Sequence, residues 1–204
     1  VIAASIMFSG GKVDLPLFRF LSNMMVKTQP LAEKSAKDFN KCLDERKYDS
    51  LVLLDTNNAQ KNGINSTPTV LLNGKMAKTP LDHASLKALI EEEIMAATAT
   101  ALPKNKTKIT EAPILSVGVG TNLLEGNPNA MVKIVEFGDY QCPYCGMFYR
   151  QVVPLLKNEY INTGKVSFDY RDFSFLGQES KDAALAARCA GDQGKFWLYH
   201  DKIY

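Results

Sequence analysis

Apolar residues in the first quarter of the chain recur at helical spacing. Between residues 13 and 48 they return every three or four positions, and Pro30 interrupts the pattern. Such spacing places apolar side chains along one face of a helix, and a proline inside the pattern ends or kinks that helix. The sequence therefore predicts two helices here, the second with Phe39, Cys42 and Leu43 on the stripe that faces the core.

Short apolar runs bounded by turn signals predict the strands. The run LVLL at 51–54 fits either a buried strand or the end of a helix. The run VLL at 70–72 is followed by an Asn-Gly pair, the strongest two-residue hairpin signal, so we expect a hairpin there. Further strands are predicted within 131–140, where the apolar character is nearly continuous, and within 165–173, where it alternates.

Helical patterns follow these strands. One covers residues 81–97, with Asp82 at the capping position. A second covers residues 142–161, and we expect a kink at Pro154. A third covers residues 180–204. Strands and helices that alternate in this way indicate an α/β protein.

Composition narrows the class of protein without pointing to a function. The chain has 204 residues, of which 46% are hydrophobic and 23% charged, and its net charge is +2. These values are ordinary for a globular protein with its own core, and the charge gives no reason to expect nucleic acid as a partner. No apolar run approaches the roughly 18 residues that cross a bilayer, and the apolar start VIAASIMFSGG lacks the basic flank of a signal peptide.

The stretch EFGDYQCPYCGMFYR carries the candidate chemistry. It continues a predicted strand and places Cys142, Pro143 and Cys145 at the start of a helix, where proline suits the first turn. Free backbone N–H groups and the helix dipole favour negative charge at such a position, so a thiol there can have its pKa lowered to about 3.5–7.5. Cys142 is therefore a candidate nucleophile, and Cys145, one turn later, is placed to close or release a disulfide.

A zinc site and a plain structural bridge are the other common uses of a CxxC pair. Zinc takes about four ligands. The remaining candidates are Cys42, Cys189, His83 and His200, and none of them stands at the spacing of a ligand pair. We therefore predict no metal site, whereas a structural bridge stays open as the alternative to a redox pair.

Three segments carry a likeness to a known family. They are EFGDYQCPYC at 136–145, STPTVLLNGK at 66–75 and AARCAGDQGKFWLYHDKIY at 186–204. Together they resemble the DsbA-like thiol–disulfide oxidoreductases of the thioredoxin superfamily, over roughly residues 36–95 and 116–204. The resemblance implies an α/β, thioredoxin-like fold with a central mixed sheet and an inserted helical subdomain.

The resemblance also implies roles for the positions in and before the CxxC. Cys142 would be the nucleophile and Cys145 the resolving cysteine, with Pro143 and Tyr144 tuning the thiolate. Glu136 matches the family's buried acid, which moves protons to and from the buried thiol. A carboxyl in a buried strand should have a raised pKa, which is consistent with that role. The alternative is that a lysine pairs with Glu136.

Two further pairs of residues match the family elsewhere in the chain. Pro68 matches its cis-proline beside the active-site disulfide, and Thr67 would offer backbone hydrogen bonds to an extended substrate peptide. The alternative for Pro68 is an ordinary turn proline. Cys42 and Cys189 match a pair of cysteines that resembles a structural disulfide within the helical insert.

The order of the segments differs from that of the family, in which the CxxC half comes first. Here residues 1–95 hold part of the insert and the cis-proline half, residues 96–115 are a predicted linker, and residues 116–204 hold the CxxC half. A circular permutant of one domain, with its insert cut between Tyr204 and Val1, needs the fewest assumptions. A fragment of a tandem protein and a domain-swapped assembly are the alternatives.

The function that we expect is protein disulfide formation outside the cytoplasm, where structural disulfides are stable. Reduced protein substrates would pass electrons to Cys142–Cys145, and misoxidised proteins are the other expected substrates. A membrane quinone-linked oxidase would reoxidise the dithiol. The dithiol itself carries the electrons, so no bound cofactor is needed. Tyr144 stands where DsbA has histidine, which leaves a reductase or isomerase as an alternative. A module that binds copper(I) through its thiolates and a redox-inactive adaptor are the others.

Overall fold

A mixed β-sheet organises the chain. The computed structural model describes residues 32–78, 80–100 and 123–204. Its strands are β1 (Thr69–Leu72), β2 (Lys75–Met76), β3 (Leu124–Gly126), β4 (Val132–Gly138) and β5 (Val166–Asp172). Their spatial order is β2-β1-β4-β5-β3, with β4 and β5 parallel and the other neighbours antiparallel. The expected α/β class with a central mixed sheet is confirmed.

Helices pack on both faces of this sheet. They are α1 (Ala32–Asp44), α2 (Asp49–Lys61), α3 (His83–Thr100), α4 (Pro143–Gln151), α5 (Val153–Leu156), α6 (Gln178–Gly191) and α7 (Phe196–Ile203), and a π-helical turn (Lys157–Ile161) follows α5. None of these described helices is both long and apolar enough to cross a membrane.

The alternation of side chains along β1 and β4 divides the core into two parts. Val70 of β1 and Ile134 of β4 belong to the larger cluster. Leu71 of β1 and Phe137 of β4, each an odd number of positions away along its strand, belong to a smaller cluster on the other face. Successive residues of a strand point to opposite faces, so Glu136 shares the face of Ile134. The acid therefore lies in the larger core, the one that also contains the two CxxC cysteines.

The apolar run at 51–54 lies inside helix α2, which settles the choice between strand and helix. Leu53 and Leu54 are exposed, while Val52 and Asp55 are buried. Only a helix places residues three apart on one face while turning the intervening pair to solvent.

The predicted linker begins too early, because residues 96–100 belong to helix α3. The segment is rich in alanine, the residue with the highest helix propensity. Thr98 also donates its hydroxyl hydrogen bond to the carbonyl oxygen of Ile94, 3.0 Å away, within the helix. The rest of the predicted linker, and the helix predicted before Pro30, lie outside the described residues.

Local signals at two helix ends agree with the structure. The backbone N–H of Ser85 donates to the carboxylate of Asp82 at 2.8 Å, which caps α3. The helix predicted over 142–161 is divided at Val152, and Pro154 lies in the first turn of α5. A proline there has no N–H to continue the ladder of α4, which accounts for the break.

Buried contacts fasten the segment 32–100 to the segment 123–204. Cys42 of α1 and Cys189 of α6 form a disulfide, with Cα atoms 5.8 Å apart. Beside it, the Arg188 guanidinium lies between the carboxylates of Asp172, 2.6 Å away, and Asp55 of α2. All three charged side chains are buried, so each depends on the others for compensation of its lost hydration.

Candidate active site

The CxxC pair lies where strand β4 passes into helix α4. Cys142 is the N-cap residue, with φ −74° and ψ 118°, and Pro143 is the first helical residue. The backbone N–H groups at the start of a helix have no partner within the helix. The sulfur of Cys142 therefore lies at the end of the helix that favours negative charge.

The environment of Cys142 stabilises its thiolate. Both CxxC cysteines are free thiols, and Cys142 retains 7% of its surface exposed. A hydrogen bond from the Cys145 thiol makes the largest contribution and lowers the pKa of Cys142 to about 5 against the opposing effect of burial; the backbone N–H groups of Cys145 and Tyr144 add to it. Cys142 is thus ionised near neutral pH, although its side chain is largely buried.

Cys145 has the opposite character. Its side chain is fully buried. The hydrogen bond to Cys142, burial and the negative charge of Glu136 all raise the pKa of its thiol. The two thiols of the pair therefore differ in acidity, and the lower pKa belongs to the cysteine at the helix start.

Glu136 lies in β4, the middle strand of the sheet, which precedes the CxxC. It pairs with Val70 of β1 and Tyr170 of β5, and no part of its surface is exposed. Within the described residues neither carboxyl oxygen has a hydrogen-bond partner, so the lysine pairing that we considered is not present there. Burial, and after it the Cys142 charge, raises the pKa of Glu136 to about 8.

The Thr67–Pro68 segment lies against the nucleophile. The Thr67–Pro68 peptide bond is cis. When it is protonated, the Cys142 thiol donates a hydrogen bond to the carbonyl oxygen of Thr67 at 3.3 Å. The fold thus brings together residues that are more than seventy positions apart in the sequence.

The remaining predicted residues divide between the site and the scaffold. Pro143 and Tyr144 lie on the exposed side of the helix start, and Tyr144 is 65% exposed. The disulfide of Cys42 and Cys189 joins α1 to α6 and does not belong to the reactive pair.

Sequence reasoning assigned no role to two residues that the structure places near the site. Asp139 is fully buried between β4 and Cys142. An acidic residue at a strand-to-helix turn is a common turn former, and that signal could have singled it out. His200, expected as an ordinary helix residue, is fully buried with its ring 4.5 Å from the rings of Tyr149 and Tyr170, and burial lowers its pKa.

Within the described segments, no group of three or more His, Cys, Asp or Glu side chains is placed to hold a metal ion.

Comparison with known proteins agrees with this arrangement. The family model described as Thioredoxin matches residues 19–92 and 119–204, more than half of the chain. The chain belongs to the thioredoxin family.

Relatives of this thioredoxin-family chain include two curated Bacillus proteins. It is 43% identical over 81 residues to "Probable disulfide bond formation protein D" of Bacillus anthracis, an alignment that covers 39% of this chain and 37% of the relative. It is 37% identical over 81 residues to "Disulfide bond formation protein D" of Bacillus subtilis, covering 39% of this chain and 36% of the relative. The chain thus spans well under half the length of these relatives.

A solved structure also aligns with part of the chain. The crystal structure of oxidised BdbD from Bacillus subtilis is 35% identical, covers 39% of this chain and 44% of the solved chain, and gives a TM-score of 0.38.

We predict that Cys142 reacts as a thiolate in mildly acidic solution. The rate of its alkylation by iodoacetamide in the reduced protein should rise with a midpoint near pH 5, whereas an ordinary cysteine has a pKa of about 8.5. Mass spectrometry of the alkylated peptides measures the rate.

The control is Cys142→Ser, which should show almost no alkylation below pH 7 because Cys145 is buried and protonated. A midpoint near pH 8.5 for Cys142 would contradict the electrostatic description of the site.

Proposed function

We propose that the chain is a protein dithiol–disulfide oxidoreductase that introduces disulfides into exported proteins. The observation that carries the proposal is the contrast between Cys142, whose thiolate is stabilised at a helix N-terminus, and Cys145, whose thiol is buried and kept protonated. Attack from outside at one sulfur and departure of the other is the basis of disulfide exchange. The names of the two Bacillus relatives refer to disulfide bond formation.

The proposed reaction transfers two electrons from a substrate dithiol to the oxidised pair. A substrate thiolate attacks the Cys142 sulfur, the Cys142–Cys145 bond breaks, and Cys145 leaves as a thiolate. Glu136 gives this thiolate a proton, since a carboxyl with a pKa near 8 carries one at neutral pH. A second substrate thiolate then attacks the substrate sulfur of the mixed disulfide, which forms the substrate disulfide and releases Cys142 as a thiolate.

Stabilisation of the Cys142 thiolate favours oxidation as the direction. A dithiol whose reduced form is stabilised by a low pKa gives up its disulfide readily and is a strong oxidant. The reduced pair must then be reoxidised by an external electron acceptor, for which a membrane quinone-linked oxidase is the class that we propose. A reductase or isomerase would use the same residues with a less stabilised thiolate.

The proposed location is extracytoplasmic. The Cys42–Cys189 bridge supports this location, because stable structural disulfides are rare in the cytosol. The proposed substrates are reduced or misoxidised polypeptides. An extended peptide could form backbone hydrogen bonds with Thr67 beside the cis-proline Pro68, while side chains next to its cysteine meet the exposed Tyr144.

A single domain in rotated order is the organisation that we propose. The segment 32–100 supplies β1 and β2, and the segment 123–204 supplies β3, β4 and β5 to the same sheet. The Cys42–Cys189 bridge forms within one chain, as a permuted domain requires. These features support a permuted single domain over a tandem fragment.

We predict that the oxidised protein transfers its disulfide stoichiometrically. One equivalent, mixed without oxygen with one equivalent of a reduced unfolded peptide that has two cysteines, should convert the peptide to its disulfide form. The Cys142–Cys145 pair is the only source of oxidising equivalents that is poised for attack, so Cys142→Ser should leave the peptide reduced. Mass spectrometry after acid quenching measures both species.

Cys142→Ser retains the Cys42–Cys189 bridge and so controls for electrons taken by that disulfide. Preferential reduction of an oxidised peptide by the reduced protein would reverse the proposed direction. A pair that exchanges in neither direction would contradict the proposal and favour the thiolate copper module.

Glu136→Gln tests the role of the buried acid. A glutamine cannot deliver a proton, so the first-order rate of disulfide transfer at pH 7 should fall by about a hundredfold or more, since general acid–base catalysis typically contributes about 10²–10⁴. Quenched-flow kinetics with the same peptide gives the rate. The exposed Glu45→Gln is the matched control and should leave the rate unchanged.

The same variant should change how stability depends on pH. Because the pKa of Glu136 is raised from 4.5 to about 8 in the folded protein, its contribution to stability is complete below pH 4.5 and is lost as pH rises to 8. In the oxidised protein neither CxxC cysteine titrates, but burial, the larger cause, still raises the pKa of Glu136. The free energy of unfolding of Glu136→Gln should therefore fall less than that of the parent as pH rises above 4.5. Equal slopes for the variant and the parent would exclude the raised pKa.

A further inference from the structure

The carboxylate of Asp139 collects four hydrogen bonds from three parts of the site. Oδ1 accepts from the backbone N–H of Gln141 at 2.9 Å and from the hydroxyl of Ser180 at 2.6 Å. Oδ2 accepts from the backbone N–H groups of Phe175 and Leu176 at 3.0 and 3.1 Å. The carboxylate is fully buried, and these donors take the place of its hydration.

The backbone of the same residue contacts both reactive cysteines. The carbonyl oxygen of Asp139 accepts a hydrogen bond from the N–H of Cys142 at 2.9 Å. A backbone hydrogen bond from Asp139 also reaches the sulfur of Cys145. Asp139 thus joins the turn before the CxxC to the segment 173–180, to the backbone of Cys142 and to the thiol of Cys145.

This arrangement fixes the turn that delivers the Cys142 sulfur to the helix start. Gln141 N–H to the Asp139 side chain and Cys142 N–H to the Asp139 carbonyl close two nested hydrogen-bonded turns. Hydrogen bonds to a charged acceptor are stronger than those between neutral groups and hold their geometry more tightly. The backbone N–H groups of Tyr144 and Cys145 can act on the sulfur only while the N-cap residue keeps its orientation.

We propose that Asp139 is the positioning residue of this site, which holds the Cys142 sulfur in line with the backbone amides of helix α4. The proposal rests on the function proposed above. It assigns to Asp139 no contact with substrate; the residue acts through Cys142. Because the Asp139 carboxylate also accepts from the backbone N–H groups of Phe175 and Leu176, it fixes the position of that loop, with its two exposed side chains, relative to Cys142.

Asp139→Asn separates positioning from simple charge. Each carboxylate oxygen of Asp139 accepts from two donors. In the variant Asp139→Asn, an NH₂ group replaces one of these oxygens, so two of the four donors would face another donor. If Asp139 positions the sulfur, the pKa of Cys142 should rise, by about one unit, which is about a tenfold loss of thiolate at a given pH below the pKa. If the carboxylate acted only through its charge, its removal would lower the pKa of Cys142, the opposite sign.

The measurement is the pH profile of Cys142 alkylation in the reduced protein, together with the equilibrium constant for disulfide exchange with glutathione. A rise of one pKa unit should make the protein about tenfold less oxidising, which corresponds to about 30 mV for a two-electron couple. A residue with only a structural role would lower the unfolding temperature and leave both of these quantities unchanged.

Two further variants keep the test decisive. Ser180→Ala removes a single donor and retains the carboxylate, so it should move the pKa of Cys142 in the same direction by a smaller amount. It also provides the readout if Asp139→Asn does not fold. Asp182 lies on α6 with Ser180, and its carboxylate pairs with Arg46. Asp182→Asn should therefore leave the pH profile of Cys142 alkylation unchanged.

An unchanged or lowered pKa of Cys142 in Asp139→Asn, or an unchanged pKa in Ser180→Ala where Asp139→Asn is unfolded, would overturn the proposal. The outcome is distinct from failure of the proposed function, because alkylation of the reduced protein requires no exchange with substrate. If the wild-type protein transfers no disulfide but Asp139→Asn raises the pKa of Cys142, the proposed oxidoreductase activity is contradicted and the positioning role of Asp139 is retained.

Discussion

Stabilisation of one thiolate at the start of a helix is the interaction on which this structure depends. The Cys142 sulfur needs an N-terminal helix position, a hydrogen bond from Cys145 and backbone amides in register. The central position of β4 meets these needs, since it ends at the turn before Cys142 and places Glu136 in the core that contains the two thiols. The sheet holds the buried acid Glu136, and the cis-proline segment contacts the Cys142 sulfur at which this charge is stabilised.

The same physical chemistry explains why the site combines groups that would be unfavourable elsewhere. The Glu136 carboxyl, whose oxygens have no hydrogen-bond partner among the described residues, and the Cys145 thiol are both buried. Burial raises the pKa of each, and the charge of Glu136 raises the pKa of Cys145 further. Burial costs free energy in such a case unless the groups remain neutral.

Patterns within short segments made most of the fold and part of the site predictable. Local conformational preferences, which the sequence displays directly, account for three features. These are the Asn-Gly hairpin, the buried strand before the CxxC, and Pro143 at the first position of the helix. The run at 51–54 was left open between strand and helix, and residues 96–100 were wrongly assigned to a linker, because a short apolar run and an alanine-rich tail satisfy more than one pattern. The four hydrogen bonds of Asp139 could not be predicted, since they depend on three segments that meet only in the folded chain.

A redox titration of the Cys142–Cys145 pair in glutathione buffers, with Cys142→Ser as the control, tests the central claim most directly. If the Cys142 thiolate stabilises the reduced form, the reduction potential should lie at or above about −180 mV, in the range of oxidising members of this superfamily. The reduced protein should also be more stable to denaturant than the oxidised protein. A potential near about −270 mV, the value typical of reducing thioredoxins, would contradict the account and make the protein a reductase.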